Sequence, residues 1–156
     1  MHVRDIMSPR PEVLSPGMPV RELEERFISH QVGGFPVLEH GKLVGLVTRS
    51  DLVRVLDLEH TIDDLIAERA ESAGAPADSS QSRGARIGAR LEAMTVADVM
   101  VRDVITVAPE TPVEDAARAM IEARVHRLPV VEGDQLVGLV TGLDLARAIA
   151  EGRLRS

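Results

Sequence analysis

Apolar residues recur at helical spacing in two long segments of the chain. Residues 20–32 carry Val20, Leu23, Phe27 and Ile28, and residues 113–125 carry Val113, Ala116, Ala117, Met120 and Ile121. This spacing predicts two amphipathic helices. Each segment follows a Pro-rich turn, and proline suits the first position of a helix because the N–H that it lacks has no partner there.

Shorter apolar runs follow each predicted helix. They flank polar turns at residues 39–42 and 132–135, which predicts two β-hairpins. The predicted strands are Phe35–Leu38, Leu43–Thr48, Leu128–Val131 and Leu136–Thr141. Short extended pieces at 13–14 and 106–107 precede the long helices, and second helices follow the hairpins at 50–58 and 143–151. The predicted order of elements is therefore β-α-β-β-α, occurring twice.

Residues 3–56 and 96–149 match each other without insertion or deletion. The stretch Leu43–Thr48 recurs unchanged as Leu136–Thr141, and both copies continue with two variable residues and Asp-Leu. One structural unit has therefore been used twice. A unit of about 50 residues is marginally stable alone. We therefore expect the two halves to pack together about a pseudo-twofold axis, with any site occurring as a pair near that axis.

The stretch between the repeats resembles neither of them. Residues 61–71 have a helical pattern, with Thr61 as a candidate N-cap. Residues 73–88 are small and polar without periodicity, which predicts a mobile linker with weak order around 74–86. We therefore divide the chain into repeat 1 (1–58), a helical and flexible linker (59–94) and repeat 2 (95–152).

Composition narrows the possible functions. The chain has 156 residues, a net charge of −7, 1% aromatic residues and no cysteine. The acidic balance argues against nucleic acid as a partner, because binding depends on a basic face that neutralises phosphates. The apolar runs are shorter than the ~20 residues needed to cross a bilayer, so we expect no membrane partner and a cytoplasmic location. The histidines lack metal-ligand spacing, so no metal site is expected.

The sharpest motif is Gly-Leu-Val-Thr-x-x-Asp, at Gly45–Asp51 and Gly138–Asp144. Its Thr ends a strand where a helix begins, a position that attracts anions, and its Asp offers acceptors for a vicinal diol such as that of ribose. Its Gly permits close backbone approach. Thr-x-x-Asp is also a capping box that needs no ligand. Duplication copies caps as readily as sites, so the repetition does not separate these compatible interpretations.

The corner before the hairpin distinguishes the two copies. Repeat 2 has His126 and Arg127 where repeat 1 has Gly33 and Gly34. The glycines are typical of a helix C-cap. Arg127 is suited to bidentate phosphate contact, and His126 is suited to donating a hydrogen bond. An alternative of equal weight is a solvated corner whose cations favour the C-terminus of the preceding helix.

These motifs and their order together resemble a tandem pair of CBS domains, often called a Bateman module. The resemblance implies an α+β fold of two β-α-β-β-α repeats packed sheet to sheet, with two clefts for adenosine-containing ligands. AMP, ADP, ATP or S-adenosylmethionine would be the regulatory ligand, and no cofactor would be obligatory. By the same resemblance, Thr48, Asp51, Thr141 and Asp144 would meet phosphate and ribose, and His126 and Arg127 would meet phosphate. Adenine would lie against Val13, Val32, Thr106 and Val125.

The resemblance also implies a function. We expect a stand-alone, non-enzymatic regulatory module that forms a homodimer and signals ligand occupancy to an unidentified effector protein. The cleft with His126 and Arg127 is expected to hold phosphate more tightly than its twin. The alternative is a ligand-free scaffold for dimerisation or interaction. An enzyme has little support, because no catalytic triad and no cofactor-binding loop is present in the sequence.

Overall fold

The computed structural model describes residues 1–77 and 79–154 and has a mixed α+β fold. Its strands are β1 (Ser8–Pro9), β2 (Gly34–Glu39), β3 (Lys42–Thr48), β4 (Arg127–Glu132) and β5 (Gln135–Thr141). Its α-helices are α1 (Val20–His30), α2 (Arg49–Ser72), α3 (Ser80–Glu92), α4 (Val96–Val99), α5 (Val113–Ala123) and α6 (Gly142–Ala150). A short 3-10 turn covers Val3–Asp5.

The predicted hairpins are confirmed. Strands β2 and β3 form a two-stranded sheet, and β4 pairs antiparallel with β5 in a sheet whose order is β1-β5-β4. The N-terminal strand β1 adds antiparallel to β5, with Pro9 opposite Gly138. A Cβ atom on Gly138 would lie 2.5 Å from Met7 Sδ and 3.1 Å from the Ser8 carbonyl oxygen. The close backbone approach expected at this glycine is therefore made by the N-terminal segment.

The chain divides into two compact units that do not coincide with the two sequence repeats. Unit 1 comprises Met1–Val13, Pro36–Leu46 and the chain from Arg102 onward, and unit 2 comprises Leu14–Phe35 and Val47–Val101. Unit 1 thus combines most of repeat 2 with the opening turn and most of the hairpin of repeat 1, and unit 2 combines the helices of repeat 1 with the opening turn of repeat 2.

Backbone hydrogen bonds hold these exchanged turns in equivalent ways. In unit 1 the Val3 N–H donates to the Thr111 carbonyl at 2.9 Å. In unit 2 the Val96 N–H donates to the Met18 carbonyl at 2.8 Å, which is the equivalent pair with the repeats reversed. Because the bonds involve backbone atoms only, the side chains of the two turns are free to differ.

The core of unit 1 is formed by α5, β4, β5 and the opening turn. Its buried residues are Val3, Ala116, Met120, Leu128, Val130 and Val140. Val3, from repeat 1, has no exposed surface, and Met7 packs against the same cluster. The hydrophobic effect therefore fixes the N-terminal turn on the strands of repeat 2.

Unit 2 has a core of its own. Its buried residues include Val20, Leu23, Phe27, Phe35, Val47 and Val96. The rings of Phe27 and Phe35 lie with centroids 5.1 Å apart at 41°, within the range of favourable aromatic pairs. Both phenylalanines of the chain therefore serve as core residues.

The segment between the repeats differs from the sequence expectation. Helix α2 continues from Arg49 to Ser72, so no break separates repeat 1 from the predicted helix at 61–71. Residues 80–92 form helix α3, where the sequence suggested a mobile linker up to residue 88. Ser79 caps this helix by accepting from the Ser82 N–H at 3.1 Å. The part of the linker prediction that falls on Asp78 lies outside the described residues.

Ion pairs between α2 and α3 explain why the second helix forms. Asp63, whose side chain is 1% exposed, accepts from Arg86 Nε at 3.0 Å and from Arg83 Nε at 3.3 Å. Glu59, which is also buried, pairs with Arg90. Buried carboxylates require such partners, because an unpaired charge is costly away from water. Three arginines on one face of α3 therefore substitute for the apolar periodicity that its sequence lacks.

Helices α1 and α5 end differently from the prediction. The C-cap of α1 is Gln31, with φ 49°, and the C-cap of α5 is Arg124, with φ 56°. Both adopt the left-handed conformation, so Gly33 and Gly34 are not the C-cap that the sequence suggested. The turn therefore does not require glycine in either repeat.

Candidate functional site

The strongest candidate site lies in unit 1, where β5 ends at Thr141 and α6 begins. The Thr141 N–H and hydroxyl both donate to Asp144 Oδ2, each at 2.8 Å, and the Thr141 hydroxyl accepts from the Asp144 N–H at 3.3 Å. This is a complete capping box, so the structural interpretation of the motif is confirmed. Asp144 is half-buried, and Oδ1 has no hydrogen bond to any described residue. One carboxylate oxygen is therefore available to a ligand without breaking the cap.

His126 and Arg127 lie at the same end of the sheet. Arg127 is the register partner of Thr141 across β4 and β5, and the Gly142 N–H donates to the His126 carbonyl at 2.9 Å. His126 is exposed and Arg127 is half-buried. The fold thus brings two cationic or titratable side chains to the N-terminus of α6, where the helix dipole also favours an anion.

Three further predicted residues lie elsewhere in unit 1. Val125 is half-buried and packs against the core cluster of unit 1. Thr106 is exposed and precedes Val107, which pairs parallel with Val130 beside β4. Val13 also belongs to unit 1 and is 39% exposed.

A cavity of about 290 Å³ lies next to Thr106 within unit 1. Its apolar wall consists of Leu43, Val44, Val104 and Val131. This volume is near the lower end of the range for small-molecule pockets. Leu43, Val44 and Val104 were not predicted as site residues. Leu43 and Val44 reach the cavity because most of the first hairpin belongs to unit 1, which the sequence of one repeat does not reveal.

The equivalent turn in unit 2 has the same cap in different surroundings. The Thr48 N–H and hydroxyl donate to Asp51 Oδ2 at 2.8 and 2.9 Å. Asp51 is only 4% exposed, and its second oxygen pairs with Arg54 Nη1 at 3.2 Å. Val32, the predicted adenine contact in this half, is 39% exposed. Both carboxylate oxygens of Asp51 are therefore already occupied.

Arg49 lies in this second turn and contacts the end of α1. Its backbone N–H donates to the Gly33 carbonyl at 3.2 Å, and its Nη2 donates to the Phe27 carbonyl at 2.8 Å. The guanidinium also lies 5.9 Å from the centroid of the Phe27 ring, a cation–π distance. Arg49 is the exposed first residue of α2, and these contacts also tie it to the end of α1.

The described residues contain neither a metal-binding cluster nor a membrane-spanning helix. Within the described residues, no group of three or more His, Cys, Asp or Glu side chains is placed to hold a metal ion. Over the same part of the chain, no helix combines the length and the apolar character needed to span a membrane.

Comparison with known proteins identifies the family. Residues 3–58 and 96–151 each match the CBS domain. The chain belongs to the CBS-domain family. An uncharacterized protein of Methanocaldococcus jannaschii, MJ1426, is 31% identical over 160 residues, which cover 96% of this chain and 91% of that protein. The chloroplastic CBS domain-containing protein CBSX1 of Arabidopsis thaliana is 31% identical over 87% of this chain and 58% of its own length.

Solved CBS-domain pairs share the fold. CBSX2 in complex with AMP superposes with a TM-score of 0.71 at 27% identity, covering 97% of this chain and 98% of the other. The CBS domain pair of protein MJ0100, in complex with 5′-methylthioadenosine and S-adenosyl-L-methionine, gives a TM-score of 0.69 at 25% identity over 97% and 98% of the two chains. Related CBS-domain pairs therefore bind adenosine-containing ligands.

Proposed function

We propose that this chain is a non-enzymatic regulatory module that binds an adenine nucleotide or adenosyl ligand at the turn formed by His126, Arg127, Thr141 and Asp144. The observation that carries the proposal is the geometry of Asp144. Its Oδ2 completes the capping box while its Oδ1 remains without a partner among the described residues. A ribose diol can donate to that oxygen without cost to the helix cap.

The electrostatics of the turn fit a phosphate beside the ribose. The N-terminus of α6 and the side chains of His126 and Arg127 lie at one end of the β4–β5 hairpin. Helix N-termini and arginines are the groups that proteins use most often for phosphate. Adenine is then assigned to the aliphatic surface at Val125, which directly precedes His126 and packs against the core of unit 1. The cavity that Thr106 lines is not part of this assignment, because it lies at the Gly133–Asp134 end of the β4–β5 hairpin. The AMP and S-adenosyl-L-methionine bound by CBSX2 and MJ0100 support this class of ligand.

Isothermal titration with AMP, ADP, ATP and S-adenosylmethionine tests the proposal. We expect heat from one of these ligands in the wild type and its loss in Asp144→Ala. Asp51→Ala is the matched control, because it removes the same carboxylate from the equivalent turn of unit 2. The absence of heat with all four ligands, or equal loss in both variants, would contradict the proposed site.

A ligand-free scaffold is the second candidate, and one observation favours it. Both capping boxes are complete without any ligand, so the turns are stable structural elements by themselves. Thermal unfolding distinguishes the two functions. A ligand at 100 times its Kd stabilises the folded state by roughly 2.7 kcal/mol, whereas a scaffold unfolds at the same temperature with or without nucleotide.

We also propose that the chain forms a homodimer and that its output reaches a separate effector protein. Helices α5 and α6 of unit 1 expose large apolar side chains, with Ile121 76%, Leu143 67% and Ile149 64% exposed. Exposed apolar residues grouped on neighbouring helices are typical of protein–protein contacts. Ligand binding can change the output only if the ligand has different affinities for two states of the assembly. Sedimentation velocity with and without the ligand found by titration tests both parts.

A further inference from the structure

The C-terminal half of α2 carries an apolar stripe that faces solvent. Leu58 is 56% exposed, Ile62 36% and Leu65 60%, and the half-buried Val55 precedes them on the same side. The intervals of three, four and three residues match the a and d positions of a heptad pattern. Residues spaced in this way form a continuous seam that a second helix can cover.

Helix α3 does not cover this seam, because it packs on a different side of α2. It contacts the side that carries Glu59 and Asp63, through Arg83, Arg86 and Arg90. At 3.6 residues per turn, the seam lies roughly a quarter of a turn away from that side. The ion pairs thus hold α2 and α3 together and leave the seam available.

We propose that the seam of Val55, Leu58, Ile62 and Leu65 pairs in antiparallel orientation with the same seam of a second copy of this chain. In this alignment Val55 packs against Leu65 of the second copy, and Leu58 packs against Ile62 of the second copy. The twofold axis repeats both contacts, so four consecutive layers are entirely apolar.

The charges beside the seam favour a second copy and fix its direction. Arg54, whose side chain is 69% exposed, and the exposed Glu68 flank the seam on the same side. Arg54 pairs with Asp51 through Nη1, and a guanidinium has further N–H donors that can meet a second carboxylate. Antiparallel pairing brings Arg54 opposite Glu68 of the second copy, and symmetry makes this contact twice. Parallel pairing instead places Arg54 opposite Glu59, which already pairs with Arg90, and Glu68 opposite Ala73. Opposite charges flanking a seam are a known determinant of helix orientation.

The pairing is independent of nucleotide binding, and it is a contact on α2 that is separate from the α5 and α6 surface named above for the homodimer. It involves only α2 of unit 2, whereas the nucleotide proposal involves the turn of unit 1. The ligand found for the wild type can be titrated into the seam variants described below. This titration therefore separates the pairing proposal from the nucleotide proposal. A variant that no longer pairs but still binds the ligand tests the seam only. A variant that no longer binds the ligand but still pairs tests the nucleotide site only.

Cysteine trapping tests the orientation directly, because the chain has no cysteine of its own. We expect a mixture of Val55→Cys and Leu65→Cys chains to form a mixed disulfide under mild oxidation. Leu65→Cys alone is the matched control. In the antiparallel alignment its two copies lie roughly 15 Å apart along the axis, too far for a disulfide. Efficient trapping of Leu65→Cys with itself would establish parallel pairing, and no trapping of either kind would overturn the proposal.

Charge exchange gives a second, independent readout. With Glu68→Arg added to both trapping chains, we expect the yield of mixed disulfide at a fixed time to fall about three- to tenfold. Adding Arg54→Glu as well should restore it, because the pairs are then re-formed with their signs exchanged. Glu71→Arg is the matched control, since it makes the same change of charge on the outer side of α2. An equal fall with Glu71→Arg, or no restoration by Arg54→Glu, would contradict the alignment.

Discussion

The turn at Thr141 and the turn at Thr48 have the same backbone and the same cap, but they differ in what surrounds the carboxylate. Asp144 is half-buried with one oxygen available, whereas Asp51 is 4% exposed and pairs through its second oxygen with Arg54. Repeat 2 has His126 and Arg127 where its hairpin begins and Gly142 at the start of α6. Repeat 1 has glycines before its hairpin and Arg49 at its helix start.

This exchange of positions shows that a capping box by itself does not define a binding site. In unit 2 the cation at the turn is engaged by the Phe27 carbonyl and ring, and the carboxylate is engaged by Arg54. The same motif is thus committed to structure in one repeat and available for ligand in the other. Two predictions test this contrast, and a third compares carboxylates elsewhere in the two units.

The largest effect is expected from removing the side chains of His126 and Arg127 in repeat 2. Replacing His126 and Arg127 with alanine should weaken nucleotide binding by about tenfold or more, because charge-assisted hydrogen bonds to phosphate are lost. Adenosine, which has no phosphate, should bind the wild type and the variant equally well. Titration of both ligands provides the measurement. A parallel loss of adenosine affinity would mean that these residues shape the turn and do not contact phosphate.

A smaller effect is expected on stability, and here the larger loss falls on repeat 1. Asp51→Ala should lower the free energy of unfolding by about 1–2 kcal/mol, because it removes a buried carboxylate that accepts from the Thr48 N–H and hydroxyl. Asp144→Ala should cost only about 0.5–1 kcal/mol, since water can reach the more exposed turn. Urea unfolding of the two variants measures the difference. Equal costs would show that the surroundings of the two carboxylates do not matter.

The smallest effect concerns pH. Hydrogen bonds from Arg86 chiefly, and from Arg83 and Arg90, lower the pKa of Asp63 below its ordinary value of 3.8. A carboxyl group whose pKa is lower in the folded state stabilises the fold above its unfolded pKa, and this stability is lost as pH falls through the folded value. We therefore expect Asp63→Asn to reduce the decline in urea midpoint below about pH 4.

Asp5 provides the comparison in unit 1. The His2 backbone N–H, at 2.8 Å, is the main cause of its lowered pKa, and both residues are exposed. Asp5→Asn should therefore change the acid limb less than Asp63→Asn. A larger change with Asp5→Asn would place the acid sensitivity in unit 1.

The sequence predicted the regular elements well, because the repeats carry strong periodicity. Hairpins, long helices and both capping boxes follow from the spacing of apolar residues and of Thr-x-x-Asp. Helix α3 could not be predicted in this way, since its ion-pair partners on α2 lie 20 to 31 residues away along the chain. Its stability comes from Arg83, Arg86 and Arg90 meeting Glu59 and Asp63, which no local pattern reveals.

The candidate site was predicted in part for a similar reason. Thr141, Asp144, His126 and Arg127 could be grouped from the sequence, because the hairpin fixes their register. The role of Arg49 could not, since it depends on the position of the Phe27 ring and carbonyl. The apolar wall formed by Leu43 and Val44 beside Thr106 depends on the return of the first hairpin to unit 1, which no single repeat encodes.

The exchanged opening turns have a consequence for how the protein is made. Val3 emerges from the ribosome early, but its carbonyl partner at Thr111 is translated more than a hundred residues later. Unit 1 therefore cannot close while the chain is still growing, and contacts of such long range slow folding. Unit 2 ends at Val101, so it can assemble first. The N-terminal turn can pack only later, after strands β4 and β5 have been translated. A gene split between the repeats would yield two fragments, each lacking a piece of its own core.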